Sequence, residues 1–292
     1  MTVTLQNQAL TVKIESFGAQ LKSMVTADGT EYLWQGDQEN WGDRAPNLFP
    51  TVGQLRGQKA TCARGEIRLP IHGFACTSEF VVESASDTAA TFLLTDNEET
   101  RERYPYRFAF RITYAIEDNR LAVSYAVTNT DADPMPFGVG GHPGINVPLV
   151  EGENFEDYAV ELEYPETADC PTVDLAAGLI VDGIRNRMLT NEQRFTLRHP
   201  LFRGDALIFD NIRSRKIKLF SKKSGRGVEM AFADFPAVAL WSTETDAPFV
   251  CLEPWVTMAT KYSEDDVFEH KWNIQTAAPN ETKTYTFTLS MF

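Results

Sequence analysis

The sequence has 292 residues, 43% hydrophobic and 23% charged, the make-up of a folded chain long enough to bury a sizeable core, which excludes intrinsic disorder. Its formal net charge of −14 argues against a nucleic-acid partner, because binding phosphate backbones takes clustered Lys and Arg. No stretch approaches the ~18 consecutive apolar residues of a membrane span, and the first residues show neither a basic start nor an apolar signal run, so a cytoplasmic location is expected.

In chain order, Leu10, Val12 and Ile14 alternate with Thr11, Lys13 and Glu15, the period-two pattern of a strand with one face on a core. Residues 46–57, 70–75 and 134–148 concentrate Gly and Pro and read as loops, where function usually sits. Phe108, Phe110, Ile112 and Tyr114 alternate with polar or small residues. After the turn Glu117-Asp118-Asn119-Arg120 the pattern resumes at Leu121, Val123, Tyr125 and Val127, so residues 107–128 read as an antiparallel hairpin. Tyr285, Phe287 and Leu289 set against threonines give a last strand. Helical periodicity is confined to Glu98–Tyr104 and Ser263–Lys271. Strands without intervening helices cannot form parallel crossovers, so the expected fold is all-β, a large antiparallel sandwich with few short helices. No repeat or linker divides residues 1–292, which read as one domain.

Two of the four histidines fall in the punctuated loops, His72 in Pro-Ile-His-Gly-Phe-Ala and His142 in Gly-Gly-His-Pro-Gly-Ile-Asn. Imidazole changes charge near neutral pH and is the natural proton carrier, although a His beside Gly and Pro also serves as a plain turn residue. Glu253, inside Phe-Val-Cys-Leu-Glu-Pro-Trp, is costly to bury unless it is paired, for instance with Arg56, or put to use. Alternation places Cys251 and Glu253 on one face, and Pro254 is expected to end the pairing near an edge or mouth. Asp205 and Asp210 bracket an apolar run, either one able to hold a ligand or cap a turn. Trp255, Trp241, Phe74 and Phe137 offer a flat apolar wall or core packing. His199 and His270, among charged residues, read as solvated. The four cysteines form no C-x-x-C pair and no His-x-x-x-His is present, so no metal site is expected. Phosphate-loop, dinucleotide and nucleophile-elbow signatures are missing as well.

Phe-Gly-Ala at 17–19, Leu-Phe-Pro-Thr-Val-Gly at 48–53, Leu-Pro-Ile-His-Gly-Phe-Ala at 69–75, Gly-Gly-His-Pro-Gly-Ile-Asn at 140–146 and Cys-Leu-Glu-Pro-Trp at 251–255 together resemble the aldose 1-epimerase (galactose mutarotase-like) family, and within it the LacX-like branch. The resemblance runs in order over nearly the whole chain. It implies a large antiparallel β-sandwich with a sugar cleft, and a cofactor-free isomerase that interconverts the anomers of a free hexose. It assigns Glu253 as the base that takes the C1 hydroxyl proton, His142 as the acid that protonates the ring oxygen, and His72 as an assisting hydrogen-bond partner. Asp205, rather than Asp210, would hold sugar hydroxyls, with Arg56 and Trp255 completing the substrate-binding set. Gln54 stands where many family members carry arginine, which leaves the sugar open. Two alternatives follow. One is action on hexose 6-phosphates, with Arg56, Arg64 and Arg68 as phosphate ligands; the other is a noncatalytic carbohydrate-binding domain. For the acid and base roles to hold near neutral pH, Glu253 is expected to be ionised while His142 is protonated.

Overall fold

The alternation of apolar and polar residues is realised as strands almost throughout, in a computed structural model that describes residues 1–292. Leu10–Glu15 buries Leu10, Val12 and Ile14 and pairs with Thr2–Gln6 and Gln20–Thr26 in a three-stranded sheet. Phe108–Glu117 and Arg120–Asn129 form the expected hairpin, closed at Glu117 and Arg120 by a two-residue turn. Asp118 takes a φ of 49° there, a conformation that short polar side chains tolerate.

That hairpin lies inside a nine-stranded antiparallel sheet. The sheet runs from the long arm Tyr158–Asp174 and Leu179–Thr196, through Lys216–Ser221, Gly227–Ala231 and Thr282–Met291, to Ala89–Thr95 and Val81–Ala85. A six-stranded antiparallel sheet packs against it, built from Leu207–Phe209, Ala237–Trp241, Phe249–Trp255, Gly140–Gly141 and Asn47–Leu48, with Gly144–Asn146 also on Phe249–Trp255. The largest apolar cluster takes Phe110, Tyr125 and Leu289 from one sheet and Val238, Val250 and Leu252 from the other, so the fold is the sandwich that the periodicity implies.

Helix is sparse. Glu98–Arg103 is one α-helical segment, capped by Asn97, whose Oδ1 accepts from Thr100 N–H at 2.9 Å while the Thr100 hydroxyl accepts from Asn97 N–H at 2.8 Å. The Ser263–Lys271 stretch keeps only the 3₁₀ turn Phe268–His270. Side chains capture backbone donors in and beside it: Asp265 takes Val267 N–H, and Glu264 takes the N–H groups of the flanking Lys261 and Trp272. Such bonds compete with the helical ladder.

Phe249–Trp255 is buried at every residue and lies between Ala237–Trp241 and the Gly140–Asn146 segment. Its alternation divides it cleanly. Val250 and Leu252 enter the main core, while Phe249, Cys251, Glu253 and Trp255 face the other way. Pro254 does not mark an edge, contrary to the sequence expectation, because it pairs with Val238 in mid-sheet. Leu252 and Val256 donate to Pro143 O and Val139 O, so the nitrogen of Pro254 faces the same neighbouring segment, opposite Gly141 in the register set by Gly140 and Trp255.

Asn47 ties this sheet to the other layer. Its Nδ2 donates to Gly18 O and Ala19 O at 2.9 and 3.0 Å, and its Oδ1 accepts from the Tyr125 hydroxyl at 2.8 Å, all fully buried. Asn47→Leu removes these partners and leaves a buried tyrosine hydroxyl unpaired, at a cost of about 2–4 kcal/mol. Urea unfolding with an unchanged m-value is the expected result; a loss under about 0.5 kcal/mol would show the network to be dispensable.

Candidate active site

The two Gly/Pro-rich segments 49–53 and 70–75 are zipped together by backbone bonds. Phe49 N–H donates to His72 O, His72 N–H to Gly53 O, and Phe74 and Ala75 N–H to Phe49 O, at 3.0–3.2 Å. His72 and Gly73 take φ of 65° and 78°. A Cβ on Gly73 would fall 2.2 Å from Phe49 O, so glycine is required there. The imidazole is fixed as well, because Gly53 N–H donates to His72 Nδ1 at 3.2 Å. That bond places the proton of the neutral ring on Nε2. Burial holds the ring neutral, lowering its pKa to about 4.

His142 stands at the break between Gly140–Gly141 and Gly144–Asn146. Trp41 stacks on it at 4.9 Å between ring centroids, and Trp241 and His72 meet it edge-on at 5.7 and 5.5 Å. Its Nε2 lies 3.2 Å from Glu253 Oε2. Glu253 is 1% exposed, and neither carboxylate oxygen makes a full hydrogen bond within the protein. Burial pushes the carboxyl well above its ordinary range, and the charge of Asp205 pushes it further. The indole N–H of Trp255 opposes that shift without completing a hydrogen bond. His142 moves the opposite way, lowered first by burial and then by His72. These directions run against the charge states that the acid and base roles call for. In the empty site burial favours a neutral imidazole and a protonated carboxyl, a pair holding one proton between them.

A cavity of about 510 Å³ opens over this pair. His72, His142, Glu253, Asp205 and Trp255 all line it, so four distant stretches of chain converge there. Asp205 sits in the wall at φ 75°, its Oδ1 accepting from Ala206 N–H at 2.9 Å, and burial raises its pKa. Asp210 is absent from the wall and grips Arg185. Arg56 is absent too: it pairs with Asp266 at 3.0 Å and donates to the carbonyls of Lys261, Tyr262 and Glu264. Its guanidinium is committed to bracing that loop, which corrects its place in the substrate-binding set. Arg64 pairs with Asp131 and Asp133, and Arg68 with Glu66. No Lys or Arg lines the cavity, while Asp43, Asp205 and Glu253 do. Phe74 and Phe137 belong to the core; His199 stacks on Phe155, and His270 pairs with Asp265.

Trp41 and Asp43 were not singled out by the sequence. The only cue was a tryptophan among turn residues, Asn40-Trp41-Gly42-Asp43, where a purely structural aromatic is out of place. Convergence also creates something no linear spacing announced. A His142 nitrogen, the Cys251 sulfur and a Glu253 oxygen lie within 4.8 Å of one another.

A family model described as aldose 1-epimerase matches residues 1–290. Protein LacX (plasmid) of Lactococcus lactis subsp. lactis is 37% identical over 299 aligned positions, covering 99% of either chain. A solved galactose mutarotase related enzyme from Lactobacillus acidophilus superposes with a TM-score of 0.94 at 34% identity, over 100% of this chain and 97% of its own. A galactose mutarotase-like protein from Lactobacillus casei ATCC 334 gives 0.92 at 29%, over all of both chains.

The unpaired carboxylate makes a stability prediction. Because the folded-state pKa of Glu253 is raised, its contribution is intact below the ordinary carboxylate pKa and is lost as pH rises toward the raised value. Glu253→Gln removes that loss. Calorimetry should find the variant no more stable than wild type at pH 4 and more stable at pH 8, by on the order of 1–2 kcal/mol. A variant less stable at pH 8 would mean that the carboxylate is structurally satisfied.

Proposed function

The chain belongs to the aldose 1-epimerase family, and from that premise we propose that it interconverts the α and β anomers of a free hexose by opening and reclosing the pyranose ring. The observation that carries this reading is the buried contact at 3.2 Å between His142 Nε2 and Glu253 Oε2, beneath a cavity larger than one sugar. A module that only binds sugar needs hydroxyl-reading groups. It has no use for a bare carboxylate held against an imidazole.

When sugar enters, its hydroxyls donate to the unpaired Glu253 oxygens and to Asp205. Hydrogen bonds to the charged form of a carboxylate lower its pKa, so the shared proton passes to His142. Glu253 then takes the proton of the C1 hydroxyl, His142 gives its proton to the ring oxygen, the C1–O5 bond breaks and C1 becomes an aldehyde. At that point the pair is neutral, the arrangement burial favours, which stabilises the open chain. Rotation about C1–C2 and the reverse transfers close the ring from its other face. His72, with its proton fixed on Nε2 by the Gly53 bond, donates a second hydrogen bond to the sugar. Trp255 walls the ring. Every proton is returned within one cycle, so these side chains suffice for the step.

A phosphorylated sugar is the less suitable substrate. The cavity offers carboxylates and no cation, whereas a phosphate calls for arginine or lysine.

Polarimetry on freshly dissolved α-glucose and α-galactose tests the reading. Wild type should speed equilibration, and Glu253→Gln and His142→Asn should each lose about 10²–10⁴-fold in kcat/KM. Either variant keeping a tenth of the activity would remove the pair from the chemistry. The pH profile should show a plateau that falls on both sides as the pair gains a second proton or loses its one, the limbs belonging to the pair and not to either residue. A monotonic rise with pH would point to a lone base. Glucose 6-phosphate should compete poorly, and strong competition would favour the phosphosugar reading.

A further inference from the structure

Cys251 has no part in the chemistry above, yet it lies on the same face of Phe249–Trp255 as Glu253, two residues before it, and forms no disulfide. His142 reaches both from the neighbouring strand segment. The imidazole nitrogen, thiol sulfur and carboxylate oxygen lie within 4.8 Å of one another, and the nitrogen-to-oxygen separation is already 3.2 Å. Bond lengths of about 2.0–2.3 Å to zinc set the edges of a tetrahedral site near 3.3–3.6 Å. The nitrogen and oxygen are thus in place, and the sulfur, within 4.8 Å of both, has at most about 1.5 Å to close. Both Glu253 oxygens are buried without a donor, and no Lys or Arg in the cavity competes for them.

We propose that His142, Cys251 and Glu253 form a binding site for a thiophilic divalent cation of the zinc class, entering through the sugar cavity and switching the site off. An N, S, O donor set selects zinc-like ions over magnesium or calcium, which prefer oxygen alone. The thiol proton and the one proton held by the His142–Glu253 pair leave to solvent as the metal bonds form, and a water or sugar oxygen takes the fourth position. The metal occupies the lone pairs with which the imidazole and carboxylate move protons, so it inhibits. That consequence rests on the mutarotase reading; metal binding does not.

The test uses the full chain freed of metal by chelation. Cobalt(II), a spectroscopic stand-in for zinc, should give a thiolate-to-cobalt band in the near ultraviolet at one ion per chain, absent in Cys251→Ala. Zinc should inhibit mutarotation competitively with sugar and reversibly with EDTA, while magnesium has no effect. Cys251→Ala should keep basal kcat/KM within about twofold and need about ten- to hundredfold more zinc for half inhibition, the usual effect of losing a metal-site partner. His142→Asn, which keeps the thiol, should lose cobalt affinity to a similar extent and guards against a poorly folded Cys251 variant. No thiolate band, or equal zinc sensitivity in Cys251→Ala, overturns the proposal. If wild type shows no mutarotation, the cobalt band still decides the site, so failure of the functional reading is told apart from failure of the metal site.

Discussion

A carboxylate that receives no full hydrogen bond from the protein, 1% exposed and 3.2 Å from an imidazole nitrogen, is the constraint on which the site depends. Water would solvate Glu253 better than this cavity floor does, and an isolated buried carboxylate costs several kcal/mol before relaxation. The fold tolerates it because the strand that carries it is locked on both sides, by Ala237–Trp241 and by the Gly140–Asn146 segment. Val250 and Leu252 anchor its other face in the main core. The backbone at Glu253 cannot move toward water without breaking the pairing at the centre of a sheet. Burial then acts on both partners in one direction, toward neutrality.

The histidines are held by means matched to their tasks. His72 is fixed by hydrogen bonds, with its backbone zipped to residues 49–53 and its Nδ1 engaged by Gly53 N–H, so both its orientation and its tautomer are set before any ligand arrives. His142 is fixed by aromatic faces, with Trp41 stacked on it and Trp241 at its edge, and its Nδ1 makes no hydrogen bond. A ring whose nitrogens are not committed elsewhere can gain and lose a proton without breaking a structural bond. The electron-rich Trp41 face also favours the imidazolium when the proton moves there.

The strands were readable in the sequence because alternation is a local property: Leu10 to Ile14, the 107–128 hairpin and the strand carrying Glu253 all stand where period two put them. The side-chain cast of the cavity was readable for a different reason. His72, His142 and Glu253 are chemically expensive where they stand, among Gly, Pro or apolar neighbours, and such residues announce themselves. The misreadings share one cause, that partners across the fold are invisible in the chain. Pro254 looked like an edge because nothing local says that its strand is flanked on both sides, by Ala237–Trp241 and by the Gly140–Asn146 segment. Arg56 looked available because its acceptors, Asp266 and the carbonyls of 261–264, lie about 200 residues away. Trp41 was passed over, and Cys251 was placed beside Glu253 without a metal in view, because only the return of the 140–146 segment brings His142 to both.

The same electrostatics decide what such a cavity accepts. Asp205 and Glu253 repel one another across it, and burial raises the pKa of each. In the empty state this repulsion is relieved only by keeping protons. A neutral polyol relieves it differently, since its hydroxyls are donors, and each bond to either carboxylate stabilises the charged form that the proposed chemistry requires. A dianionic phosphate does the reverse. It would add charge of the same sign to a wall that contains no guanidinium or ammonium, on a chain whose net charge of −14 already disfavours the approach of anions. Discrimination between a free sugar and its phosphate thus needs no steric filter. It follows from carboxylates that face the cavity without a cation beside them, and the feature that makes the site costly to fold is the one that makes it selective.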